Sequence, residues 1–217
     1  MCSYYKNIFY FFFIIIKKFK EIFPYILLAI YLWLLIWSWI NPVDRGVWYA
    51  EEWTVLAVVI ILVLTFKKFR FSNFAYLLMF VWIIIHTIWW HYTFENVPFD
   101  WFNNLFGFER NMYDRFWHFT IWFYAYPIVE LLSKKKLVNS NVLLYLFWLL
   151  FIVSLAWLYE IFEWRYAVYF DPATWSAVLW SQWDVWDAQK DMLMDTCWAI
   201  FVLFLYWILH TKLFHKK

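Results

Sequence analysis

Six apolar blocks, each 14 to 23 residues long and nearly free of charge, run through this 217-residue chain: 24–40, 53–66, 74–90, 116–132, 142–164 and 192–209. At a rise of 1.5 Å per residue, a helix of about 20 residues crosses one hydrocarbon core, and most of the blocks approach that length. None alternates with a period of two, so barrel strands are excluded. The chain is 66% hydrophobic and 16% charged, against about 25% charged in a soluble domain. The expected fold is therefore all-α: a polytopic membrane protein with about six transmembrane helices over 24–209. A short interfacial helix and basic segment over 1–23 precede them, and a basic tail over 210–217 follows. The stretch 4–16 is too short to span and has no small-residue cleavage site, so it reads as a retained interfacial helix.

The basic residues orient the bundle. With the N-terminus inside, 13 of 18 Lys and Arg fall on inner segments, including Lys17, Lys18, Lys20, Lys67, Lys68, Arg70 and Lys134 to Lys136. Both termini are then cytoplasmic. The acids do the reverse: all but Glu21 and Glu130 of the 16 lie toward the outer side. Topology alone does not require this, because acids contribute little to orientation. Asp44, Glu51, Glu52, Glu95, Asp100 and Glu109 read as loop charges, and Glu130 as an interfacial partner of Lys134 four residues on.

A second group of ionisable residues sits in apolar surroundings. Asp114 and His118 are four apart and share a helix face, with Arg115 beside them. Glu160 and Glu163 end the fifth block. Asp184, Asp187, Asp191 and Asp195 follow at spacings of three, four and four, which draws one carboxylate stripe into the sixth block. His86 lies a turn below the outer end of the third. Ionisable groups in a span face the bundle interior and mark function. Imidazole with carboxylate is the ligand set of Zn, Fe or Mn, whereas carboxylates alone suit Mg or Ca. His86, His118, Glu160, Asp187 and Asp191 are the candidate ligands. Asp114 is the candidate partner orienting His118, Arg115 a clamp for an anionic group, and Glu163 a general base. In the plainer reading, Asp184 and Asp187 are hydrated loop charges and His91 is an interfacial anchor.

The two glycines, Gly46 and Gly107, cannot build a phosphate-binding loop, so no nucleotide cofactor is expected. A net charge of +2 gives no reason to invoke nucleic acid. The expected partners are membrane lipids and a lipid or lipid-linked substrate. The leading functional expectation is a divalent-metal-dependent enzyme performing hydrolysis or group transfer at the outer leaflet. The rivals are a proton- or cation-coupled transporter and a non-catalytic membrane component.

Several motifs together resemble the YjdF family of bacterial inner-membrane proteins. They are Asn41-Pro42 with Asp44-Arg45, His86-Thr87-Ile88, His91-Tyr92-Thr93, Tyr113-Asp114-Arg115 with His118-Phe119, Tyr126-Pro127 with Glu130, Tyr159-Glu160-Ile161 with Glu163-Trp164, and 184–192. The motif order is also similar, more weakly, to VanZ-type membrane proteins. Neither resemblance implies a reaction. The first implies glycine where this chain has Trp89, Trp90, Trp117, Trp122, Trp157, Trp180, Trp183 and Trp198. Twenty Trp beside two Gly inverts the usual order. Some bacteria read UGA as glycine, and translating that codon as Trp produces this pattern. The alternative is an interfacial aromatic belt, which suits Trp33, Trp37, Trp39 and Trp101.

Overall fold

The computed structural model describes residues 2–93, 96–169 and 184–214. Among them every regular element is helical: α1 (Cys2–Trp39), α2 (Arg45–Thr65), α3 (Asn73–Tyr92), α4 (Asp100–Phe106), α5 (Tyr113–Thr120), a 3₁₀ turn (Ile121–Tyr124), α6 (Ala125–Lys134), α7 (Asn141–Tyr169) and α8 (Asp187–Phe214). Four stretches are long and apolar enough to cross a membrane: Lys17–Trp39, Arg45–Thr65, Asn73–Tyr92 and Val142–Arg165.

Three local features differ from expectation, and each has a physical reason. First, the N-terminal segment does not separate from the first span, because α1 runs continuously through Pro24. A proline inside a helix releases the carbonyl four residues back. Here that carbonyl, on Lys20, accepts from Arg70 at 3.0 Å and Asn73 at 2.9 Å, so the helix continues without an orphaned acceptor.

Second, α2 begins eight residues before the apolar block does. Asp44 caps it by accepting from the Val47 amide at 2.9 Å, satisfying one of the helix's free N–H groups. This draws Glu51 and Glu52 into the helix, where both are buried, 1% and 0% exposed, and not in a loop as expected. Third, the block 116–132 is not one α-helix. The 3₁₀ turn separates α5 from α6 and contains Phe123, the residue four before Pro127. The proline ring and missing N–H at that spacing disfavour a regular α-helical turn there.

Helix α3 is the central packing element, resting on α1, α2 and α6, while α7 packs along α8 and α5 against α8. The basic end of the bundle gathers as the charges suggest: Arg70 holds the Lys20 and Glu21 carbonyls, and Lys134 and Lys135 lie over the Phe69 ring. Glu130 ties α6 to α3 there. It accepts from both the Ser72 amide and the Ser72 hydroxyl at 2.7 Å, and from Lys134 at 2.5 Å. Ser72 in turn caps α3. At the other end of α3, His91 stacks on Trp37 and reaches the Ser38 carbonyl at 3.2 Å, tying α3 to α1.

Candidate functional site

Helix α8 presents Asp187, Asp191 and Asp195 at intervals of four, and all three are buried. Helix α5 faces them with Asp114, Arg115 and His118, also buried. The i, i+4 geometry puts each set on one face, so contact between the two helices closes a single site. Arg115 is its electrostatic centre. Its guanidinium reaches Asp114 at 3.0 Å, Asp187 at 2.6 Å and, closely, Asp191. Arg110 adds contacts to Asp114, Asp184 and Asp187 at 2.9, 3.1 and 2.8 Å.

His118 is held from both sides. Its Nδ1 lies 3.1 and 3.2 Å from the two carboxylate oxygens of Asp195. A carboxylate only accepts, so the hydrogen-bond network assigns the Nδ1 proton to this bond. Nε2 then points the other way, 3.4 Å from Asp191 and 3.7 Å from Asp114. The structure thus puts Asp195 on Nδ1 and Asp114 on the Nε2 side. Donor atoms of Asp114, His118 and Asp191 lie within 4.8 Å of one another and could hold one metal ion.

The other expected residues divide into two groups. Asp187 belongs to the cluster through the two arginines. Glu160 and Glu163, on α7, are nearly buried and lie within electrostatic range of Asp114 and Asp187, with Glu160 also near His118. His86 is fully buried and its two ring nitrogens have no hydrogen-bond partner among the described residues. Its neighbours are the rings of Trp82, Trp89, Trp90 and Trp117, at centroid distances of 4.7, 5.5, 5.0 and 4.9 Å. Trp117 also touches His118 at 4.5 Å, so one indole contacts both imidazoles.

The tryptophans singled out in the sequence fall in different places. Trp89, Trp90 and Trp117 are buried, Trp157 is exposed, and Trp198 packs on Phe119 at 3.9 Å. Trp122 lies in the 3₁₀ turn, and its buried indole N–H finds no acceptor among the described residues. Trp180 and Trp183 lie outside the described residues.

Sequence reasoning missed the acidic pair on α2. Glu51 accepts from the Tyr159 hydroxyl at 2.5 Å, and Glu52 from Tyr31 at 3.2 Å and Thr87 at 3.5 Å. The available signal was Asp44 after Asn41-Pro42, a helix start that puts both glutamates inside the first turns. At the rim, Asp184 bonds Lys190 at 2.5 Å, and this contact, with Arg110 close by, holds its carboxyl below the usual value of 3.8.

The chain is 27% identical to the inner membrane protein YjdF of Escherichia coli (strain K12) over 161 residues, which cover 73% of this chain and 77% of the relative. No solved structure matches. The Asp114, His118 and Asp191 site and all four apolar spans except the first residues of α1 fall within residues 23–212, which match the family described as "Predicted membrane protein (DUF2238)". The chain belongs to this family and is an integral protein of the inner membrane.

Proposed function

We propose that this protein is a divalent-metal-dependent membrane enzyme, with Asp114, His118 and Asp191 as the core of the metal site, acting by hydrolysis or group transfer on a lipid or lipid-linked substrate. The observation that carries the reading is the convergence of those three buried donor groups, with His118 oriented by Asp195. A carboxylate behind a histidine ligand is the usual outer-shell arrangement of metal sites. Charge supports it as well. Asp114, Asp184, Asp187, Asp191 and Asp195 face Arg110, Arg115 and Lys190, five carboxylates against three fixed cations. With Glu160 and Glu163 also in range, carboxylates outnumber the fixed cations, and such a cluster favours a bound cation. Imidazole among the donors favours Zn, Fe or Mn over Mg.

A bound ion would supply Lewis acidity and a water of lowered pKa. Arg115 and Arg110 suit an anionic group on the substrate, Asp187 steadies both guanidiniums, and Glu160 and Glu163 are the nearby carboxylates for proton transfer. His86 becomes a ligand only if the indole of Trp117 is absent. The reading includes six crossings with both termini cytoplasmic, α5 to α6 forming the fourth and α8 the sixth, so that the site opens toward the outer leaflet. The segment before Pro24 continues α1 into the inner interface.

Cobalt titration tests the metal site: a visible d–d absorption band in the wild type that Asp114→Asn loses supports it. Turnover of lipid phosphoesters or esters in metal-loaded proteoliposomes, abolished in Asp191→Asn, supports the enzyme. One observation favours a second reading. Arg115 already satisfies three carboxylates, as a purely structural clamp between α5 and α8 would. Metal binding without turnover on any such lipid leaves the site non-catalytic.

A further inference from the structure

Helices α1 and α2 both pack on α3, and between them they leave a cleft of about 440 Å³ that none of the aspartates lines. Its floor is Met79, Phe80 and Ile83 of α3, and its walls include Leu28 of α1 and Leu62 of α2. One side-chain contact marks each end. At one, the Tyr31 hydroxyl donates to Glu52. At the other, the rings of Tyr25 and Phe66 meet edge to face at 5.5 Å. Lys67 lies exposed on the rim at this second end, beside Lys68 and Arg70.

A concave apolar surface within a bilayer is filled by hydrocarbon. Water would find few polar partners there, and an empty space forfeits dispersion contacts. From Tyr25 to Tyr31 the cleft follows α1 for about 9 Å, under two helical turns, a short seat for a helix from another copy of the chain. A single flexible chain fits the space, and the cationic rim complements a negative head group.

We propose that this cleft binds one acyl chain of an anionic glycerophospholipid, with the phosphate at Lys67. The site is independent of the metal centre, and the lipid's head group lies at the basic end of the bundle. The test is native mass spectrometry of the full-length protein after exchange into vesicles of phosphatidylglycerol or of phosphatidylcholine with the same acyl chains. The wild type should retain one phosphatidylglycerol, at least tenfold in preference to phosphatidylcholine. Leu62→Trp, which fills the cleft, should lose that lipid. Lys67→Gln changes only an exposed residue and so keeps the fold, and it should abolish the preference while an acyl chain still binds. An unchanged preference in Lys67→Gln, or full retention in a Leu62→Trp protein with normal melting, overturns the proposal. So does a lipid-free dimer that Leu62→Trp dissociates, since a second copy would then occupy the cleft.

Discussion

At the scale of single residues, Asp195 sets the orientation of His118 through its contact with Nδ1. Removing a carboxylate behind a ligating histidine costs about 10- to 100-fold in metal affinity. Asp195→Asn should therefore weaken cobalt binding by that factor in a competition titration while leaving the stoichiometry unchanged. An affinity equal to wild type would remove Asp195 from the site. At the rim, Asp184 titrates below its usual value of 3.8 because Lys190 and Arg110 favour its charged form. A carboxyl depressed in the fold stabilises it above the unfolded pKa and loses that contribution as pH falls through the folded one. Thermal melts should therefore show a loss of stability below about pH 4 that is smaller in Asp184→Asn. Parallel curves for the two proteins would contradict the assignment. The tryptophans make a third residue-scale case. His86 sits in a shell of indoles with unsatisfied nitrogens, and Trp117 contacts both imidazoles. If UGA is read as glycine in the native host, protein isolated from it should weigh less than 27.3 kDa. An intact mass at the value of the 20-Trp chain contradicts the recoding.

Elements were legible in the sequence where a continuous apolar block coincided with a whole helix, and less so where polar chemistry set the boundary. The blocks 74–90 and 142–164 correspond closely to α3 and α7. The block 53–66 falls short of α2 because Glu51 and Glu52 hid two buried turns behind charges that looked like loop residues. The break between α5 and α6 depends on Pro127, whose effect falls four residues upstream and not at the proline itself. For the site, the i, i+4 spacings of α5 and α8 were readable, because periodicity fixes which face each residue shares. Which face met which was not, since that depends on packing between helices 70 or more residues apart. Hence Asp195 rather than Asp114 meets Nδ1 of His118. The tie between α3 and α6 yields its own prediction. Glu130→Ala removes the acceptor from the Ser72 amide and hydroxyl. A hydrogen bond to a charged group is worth about 1.5–3 kcal/mol, so the melting temperature in detergent should fall by several degrees. An unchanged melt would show that Glu130 contributes nothing to this junction.

For the molecule as a whole, charge is divided along the bundle. Basic residues from α1, the α2–α3 turn and the end of α6 meet at one end, and the aspartate–arginine–histidine cluster forms toward the other. With the basic end cytoplasmic, a reporter active only outside should work when fused near residue 109 and fail near residue 135. The opposite pattern would invert the molecule and turn the cluster inward. The proposed metal site rests on the convergence of Asp114, His118 and Asp191, whose donor atoms lie within 4.8 Å of one another. Elemental analysis of detergent-purified protein, beside His118→Ala and Asp191→Ala, tests it most directly. Close to one equivalent of Zn, Fe or Mn is expected in the wild type and little in either variant. Folded wild-type protein that holds no metal, even after loading, would contradict it and leave Arg115 as the organiser of a structural ion network.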